Sequence, residues 1–108
     1  MATAMIQFSY KPETLGNLLK NPEDRSVVVG KLIDQLGGKM IGFYYSFGEW
    51  DGVIIVDMPD NISLAASSIV AFAGGGTAKI KTTILMSVKD AMSAMEKGKG
   101  LRLPQPKA

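Results

Sequence analysis

The sequence predicts an α+β domain in which two helices cover one face of a four-stranded antiparallel sheet and a third helix follows. Three observations carry that prediction. Apolar patterning runs in the order strand, helix, strand, strand, helix, strand; the stretch Phe43 to Asp60 contains two strands, their turn and a helix start without a break; and 108 residues with charges of both signs interspersed suit a single folded domain.

Thr3 to Tyr10 alternates, with Ala4, Ile6, Phe8 and Tyr10 on one face and Met5, Gln7 and Ser9 on the other, as a strand requires. Lys11-Pro12 ends it, and Glu13 to Lys20 is expected to form a short helical turn. Asn21-Pro22-Glu23-Asp24 then reads as a helix start, with Asn21 as N-cap, Pro22 at the first position and Asp24 bonding back. Val28, Leu32 and Leu36, widened by Val29 and Ile33, give that helix one apolar side, and Gly37-Gly38 predicts a left-handed end.

Met40 to Phe47 is almost continuously apolar, which predicts a strand covered on both faces. Gly48 to Gly52 is the turn, and its Asp51-Gly52 pair suits a hairpin that returns Val53 to Val56 antiparallel. Asp60 is placed to cap a helix from Asn61 to Ala73, whose predicted inner face is Ile62, Ala66, Ile69 and Ala73 with Leu64, Ala65 and Phe72 at its border. Gly74 to Gly76 ends it. Thr77 to Met86 alternates again, and Lys79 and Lys81 mark an edge strand. Ser87 to Asp90 opens a last helix with a narrow stripe of Val88, Ala91, Met92 and Met95, ending near Gly98. The expected domain is residues 1–98, and residues 99–108 are expected to be a flexible basic tail.

Composition removes whole classes of chemistry. The chain has no cysteine and no histidine, so thiolate catalysis, zinc-thiolate sites, iron–sulfur clusters, histidine general bases and histidine-held haem are excluded. No metal or other cofactor is expected. The net charge of +2 comes from Lys97, Lys99, Arg102 and Lys107 near the end, and the body before them is slightly acidic. A nucleic-acid partner is therefore not expected, because phosphate binding needs a basic stripe on the folded surface. The apolar segment Ile62 to Ala73 falls short of the ~20 residues of a membrane span, so no membrane partner is expected and the cytoplasm is the predicted location.

Strand, helix, strand, strand, helix, strand is the split βαβ order, with both helices on one face of the sheet. Val53 and Ile55 nevertheless point away from Ile54 and Val56, so the other face is apolar too. A homodimer or higher homo-oligomer in which open faces meet is the expected cover, at ~800 Å² per partner.

Asn-Pro-Glu-Asp-Arg25, Leu-Gly-Gly-Lys39, Phe43-Tyr44-Tyr45, Gly48-Glu49-Trp50-Asp51 and Pro59-Asp60 together resemble the GYD domain family of small bacterial proteins, from about residue 4 to residue 96. The resemblance implies a ferredoxin-like βαββαβ fold of the dimeric α+β barrel group, here with an added C-terminal helix. It implies little about activity. Trp50 stands where the family motif has tyrosine, Gly52 where an apolar residue is usual, and Ala73 to Thr77 is longer than the common connection.

Seven residues are candidate ligand contacts. Glu49 and Asp51 are two apart, ~6.6 Å along an extended strand, close enough to share a cation or a proton, or simply to form a polar turn in which Asp51 bonds its own backbone. Tyr10, Tyr44, Tyr45 and Trp50 offer rings for a flat ligand or for the core, and Tyr44 and Tyr45 must face opposite ways. Gln7, with Ser9, is a polar group on a strand expected to be central, suited to a cavity floor or to a dimer contact. The Gly74 to Gly76 run follows a helix, the wrong end for a phosphate loop. The expected function is a homodimeric module holding a small organic ligand between sheet and helices. Alternatives are a cofactor-free oxygenase or isomerase in the same cleft, or a structural subunit of a larger assembly.

Overall fold

Eight elements succeed one another in a computed structural model that describes residues 2–107: β1 (Ala2–Tyr10), α1 (Pro12–Lys20), α2 (Arg25–Gln35), β2 (Lys39–Tyr45), β3 (Gly52–Met58), α3 (Asn61–Ala73), β4 (Thr77–Leu85) and α4 (Val88–Gly98). Met1 and Ala108, the outer ends of the expected domain and tail, lie outside the described residues. The strands form one antiparallel sheet in the order β2-β3-β1-β4, so β1 is central and β4 is an edge, as its lysines predict. This is the ferredoxin-like arrangement with α1 and α4 added.

Alternation decides what is buried. Ala4, Ile6 and Phe8 on β1 and Ile54, Val56 and Met58 on β3 face the helices and form the core with Ile33 of α2 and Leu64 of α3. Met5, Val53, Ile55 and Tyr44 share the opposite face, and no helix among the described residues covers it. β2 departs from expectation: it is the other edge, and Ile41, Tyr44 and Tyr45 are each more than half exposed in the single chain.

Five helix boundaries show the local physics. α1 is a full helix that runs on to Lys20, and Asn21 closes it by donating its backbone N–H to the Asn17 carbonyl. The cap of α2 therefore falls to Asp24, not Asn21, with Asp24 Oδ1 accepting from the Ser26 backbone at 2.9 Å. At its other end the Gly38 N–H bonds the Ile33 carbonyl, the Gly37 N–H bonds the Asp34 carbonyl, and Gly37 takes φ +80°, the Schellman ending that the glycine pair predicts. Asp60 caps α3 through the Ser63 N–H at 2.7 Å, and Ser87 caps α4 through the Asp90 N–H at 3.0 Å.

The inner faces of two helices differ from the sequence expectation. α3 buries Leu64 and Ser67, while Ile62, Ile69 and Phe72 look outward, Ile62 at 82% exposure. Ser67 is tolerated inside because its hydroxyl donates to the Leu64 carbonyl at 2.6 Å. On α2 the buried line is centred on Ile33, and Val28 is exposed. Among the described residues no helix is long and apolar enough to cross a membrane.

Candidate functional site

A cleft of about 620 Å³ lies between α2 and α3, floored by the helix-side face of the sheet. Ile6, Phe8, Ile54, Phe43 and Ile80 rise from the strands, and Val28, Val29, Leu32 and Ile33 wall it from α2. Polar groups line it too: Tyr10, Thr14, Arg25 and Thr77 near the end where β1 stops and β4 begins, Lys31 and Gln35 further along α2, and Ser67 and Ser68 on α3.

The end of β1 is built by an irregularity. The β1–β4 register shifts between Ser9 and Tyr10, which sets Tyr10 opposite Thr77. Asp51 holds that end in place, donating its own backbone N–H to the Phe8 carbonyl and accepting the Tyr10 N–H on Oδ2, each at 2.8 Å. Across the sheet the Gly76 carbonyl accepts from the Lys11 N–H at 3.1 Å and from Thr14 Oγ1 at 2.8 Å. The triple glycine is thus a pinned corner of the cleft, with Gly75 left-handed at φ +82°.

Four aromatic rings line up along one side. Phe8 meets Tyr10 edge-on at 5.1 Å, Phe8 meets Phe43 at 5.7 Å, Phe43 meets Tyr45 at 5.4 Å, and Tyr10 meets Tyr45 at 6.4 Å between centroids. β3 runs between β1 and β2, so rings from the two outer strands can meet only where β3 leaves room. Gly52 is that room. It pairs with both Phe8 and Tyr45, and a Cβ placed on it would strike the Phe8 ring.

Burial pushes the Tyr10 hydroxyl well above the ordinary phenol value; the Tyr45 hydroxyl, 3.4 Å away, adds to the shift, and the nearby Arg25 guanidinium opposes it. Tyr10 therefore keeps its proton near neutral pH, and its hydroxyl can donate as well as accept. Thr77 Oγ1 is buried with no hydrogen-bond partner among the described residues.

The seven candidate residues do not form one box. Tyr10 lines the cleft, and Tyr45 stands beside it. Gln7 and Tyr44 lie on the open face of the sheet, because alternation gives the cleft floor to Ile6, Phe8 and Phe43. Trp50 lies beneath Lys79, whose Nζ is 4.7 Å from the ring centre, away from the cleft lining. Asp51 braces the backbone, neither closing an Asx turn nor pairing with Glu49, whose carbonyl accepts from Ser9 Oγ at 3.2 Å. Sequence reasoning passed over Phe8, Phe43, Arg25 and Thr77. The Phe8/Tyr10 and Phe43/Tyr45 spacings of two were a visible sign of a shared aromatic face, whereas the Thr77–Tyr10 pairing depends on a bulge that no spacing reveals.

Among solved structures the chain is similar to that of TTHA0845 from Thermus thermophilus, at 20% identity and a TM-score of 0.54 over 82% of this chain and 96% of that one. It is also similar to MtbAldR, at 15% identity and a TM-score of 0.59 over 80% of this chain and 53% of that one, and to FFRP-DM1, at 19% identity and a TM-score of 0.50 over 80% and 100%. At these identities the likeness shows the fold. No match is found among curated proteins. The family model described as the GYD domain matches residues 5–95, nearly the whole of the sheet, its covering helices and most of α4, and the chain therefore belongs to the GYD domain family.

Proposed function

We propose that this chain works as a homodimer in which each subunit holds a small, mostly apolar organic molecule in the cleft between α2, α3 and the sheet. The observation that carries the binding reading is the cleft itself: about 620 Å³, walled largely by aliphatic and aromatic side chains, with polar groups from α2, α3 and the strand ends among them. That is the composition of ligand pockets, in which apolar walls supply affinity and few polar atoms fix orientation. Tyr10 favours binding over proton abstraction, since a hydroxyl held in its neutral form donates a hydrogen bond and is a poor base.

The dimer is supported by what a single chain leaves uncovered. Met5, Val53, Ile55 and Tyr44 share the open sheet face, Tyr44 at 63% exposure. α4 carries Val88, Met92 and Met95 outward, each exposed, and an isolated helix of 11 residues is marginal in water. The radius of gyration is 17.6 Å, against about 13 Å for a compact chain of this length. A second copy placed on the open face shelters both surfaces, and residues 99–107 then form a basic tail outside the assembly.

Native mass spectrometry of freshly purified protein tests both halves. A dimer mass carrying a reproducible small-molecule adduct is the expected result. A monomer at micromolar concentration overturns the quaternary reading, and a cleft that takes up no small organic probe in solution overturns the binding reading.

A further inference from the structure

The charge of the cleft lining is one-sided. Arg25 and Lys31, both from α2, are the charged residues that line it, and no carboxylate among the described residues does. Two carboxylates outside the lining are engaged there: Asp51 accepts the Tyr10 N–H, and Glu23, itself exposed, pairs with Arg25 at 3.0 Å. An exposed pair of that kind contributes little, so the guanidinium remains available to a better acceptor. Next to it stands the Tyr10 hydroxyl, which lines the same cleft.

From this juxtaposition we infer that the ligand is a small organic acid, with its carboxylate held by Arg25 and Tyr10 and its apolar body lying over Phe8, Val29 and Ile80. The inference rests on the cleft being a ligand site and adds the chemical class. Arg25 supplies the fork geometry that matches a carboxylate, and Tyr10 a neutral donor. A neutral molecule of the same shape leaves the guanidinium facing an uncharged group and gains only the apolar contacts.

The test uses matched pairs: 3-phenylpropanoate, 4-methylpentanoate and hexanoate, each beside its primary amide, titrated into the intact protein near pH 7 with methyl resonances of Val29 and Ile80 as reporters. Acids are expected to bind roughly tenfold more tightly than their amides, the scale of one charge-assisted hydrogen bond. Arg25→Gln should remove most of that preference by weakening acids far more than amides, and Arg25→Lys should restore part of it. Tyr10→Phe should weaken acids more than amides. Equal binding of acid and amide at the cleft methyls overturns the organic-acid inference and leaves the cleft reading standing. Shifts lost in Lys31→Gln and kept in Arg25→Gln overturn the placement of the carboxylate. No perturbation of the cleft methyls by any of the six probes overturns the cleft reading itself.

Discussion

Gly52 is where the structure makes its sharpest demand on a single residue. It lies at the head of β3 without a positive φ, so its backbone would accept any residue, and a strand glycine replaced by alanine ordinarily gains roughly 0.5–1 kcal/mol. Space argues the other way. A methyl group there meets the Phe8 ring, and that ring is already held by Tyr10 at 5.1 Å and Phe43 at 5.7 Å. Forcing an extra carbon into a packed site costs ~1–3 kcal/mol, so Gly52→Ala is expected to lose about 1 kcal/mol net, a fall in Tm of about 4–8 °C for a domain of this size.

Thermal unfolding followed by circular dichroism, with urea titration for the free energy, measures the loss. The mechanism is isolated by repeating the substitution in a Phe8→Leu background, where the ring is gone and the penalty should shrink by ~1 kcal/mol, a coupling within the range for residues in contact. An alanine variant as stable as the parent would refute the reasoning, because it would mean that the Phe8 ring is free to move. A penalty unchanged by Phe8→Leu would refute it differently, by placing the collision elsewhere. The open direction for a displaced ring is the cleft, so Gly52→Ala should also weaken binding of any probe that the cleft takes.

The remaining expectations are narrower. Ile55→Lys on the open face, and separately Met92→Lys on α4, should shift the proposed dimer toward monomer in light scattering while leaving the far-ultraviolet spectrum unchanged, since neither side chain belongs to the core of its own chain. The Tyr10 phenol should ionise well above the ordinary phenol range in an absorbance titration; its raised pKa contributes stability that is complete below pH ~10 and is lost as the pH climbs toward the folded-state value, and Tyr10→Phe should flatten that alkaline limb. Asp24 and Asp60 have lowered pKa values because each accepts hydrogen bonds from the residues it caps, first Ser26 and then Ser63; their contribution is present above pH ~4 and fades as the pH falls through the folded-state values, and Asp24→Asn with Asp60→Asn should flatten the acid limb of the stability profile.

What could be read from the sequence was whatever is fixed within a few residues. Gly37-Gly38 stops α2 because the two following amides reach back to Asp34 and Ile33, and Asp60 caps α3 through a bond three residues long. Alternation on β3 needed no knowledge of its neighbours. The misplaced features depend on what lies opposite. α3 is apolar nearly all round, and only the position of the sheet decides that Leu64 and Ser67 go in while Ile62 and Phe72 stay out. Asn21 was expected to cap α2 and Asp24 to bond back to it, and the cap falls instead to Asp24 because α1 extends far enough to use Asn21 as its end. The cleft was expected between helices and sheet, yet its polar end is assembled from Tyr10, Arg25 and Thr77, which are distant in sequence and meet through a register shift.

β3 keeps the two proposed roles apart. Gly52, Ile54 and Val56 face the helices, and Val53 and Ile55 face the open side, so successive residues of one strand serve different surfaces. A side chain changed on one face has no direct contact with the other, because the sheet is a single backbone layer whose hydrogen bonds to β1 and β2 hold the register. Substitutions at even positions should therefore alter stability and cleft binding without dissociating the dimer, and those at odd positions should do the reverse. Coupling between the faces would have to pass through movement of the strand itself. The place with freedom for that is the end of β1, where the register shifts beside Tyr10 and Asp51 ties the hairpin to the Phe8 carbonyl. If ligand binding changes the monomer–dimer equilibrium, Asp51→Ala should weaken that link more than any substitution in the middle of β3.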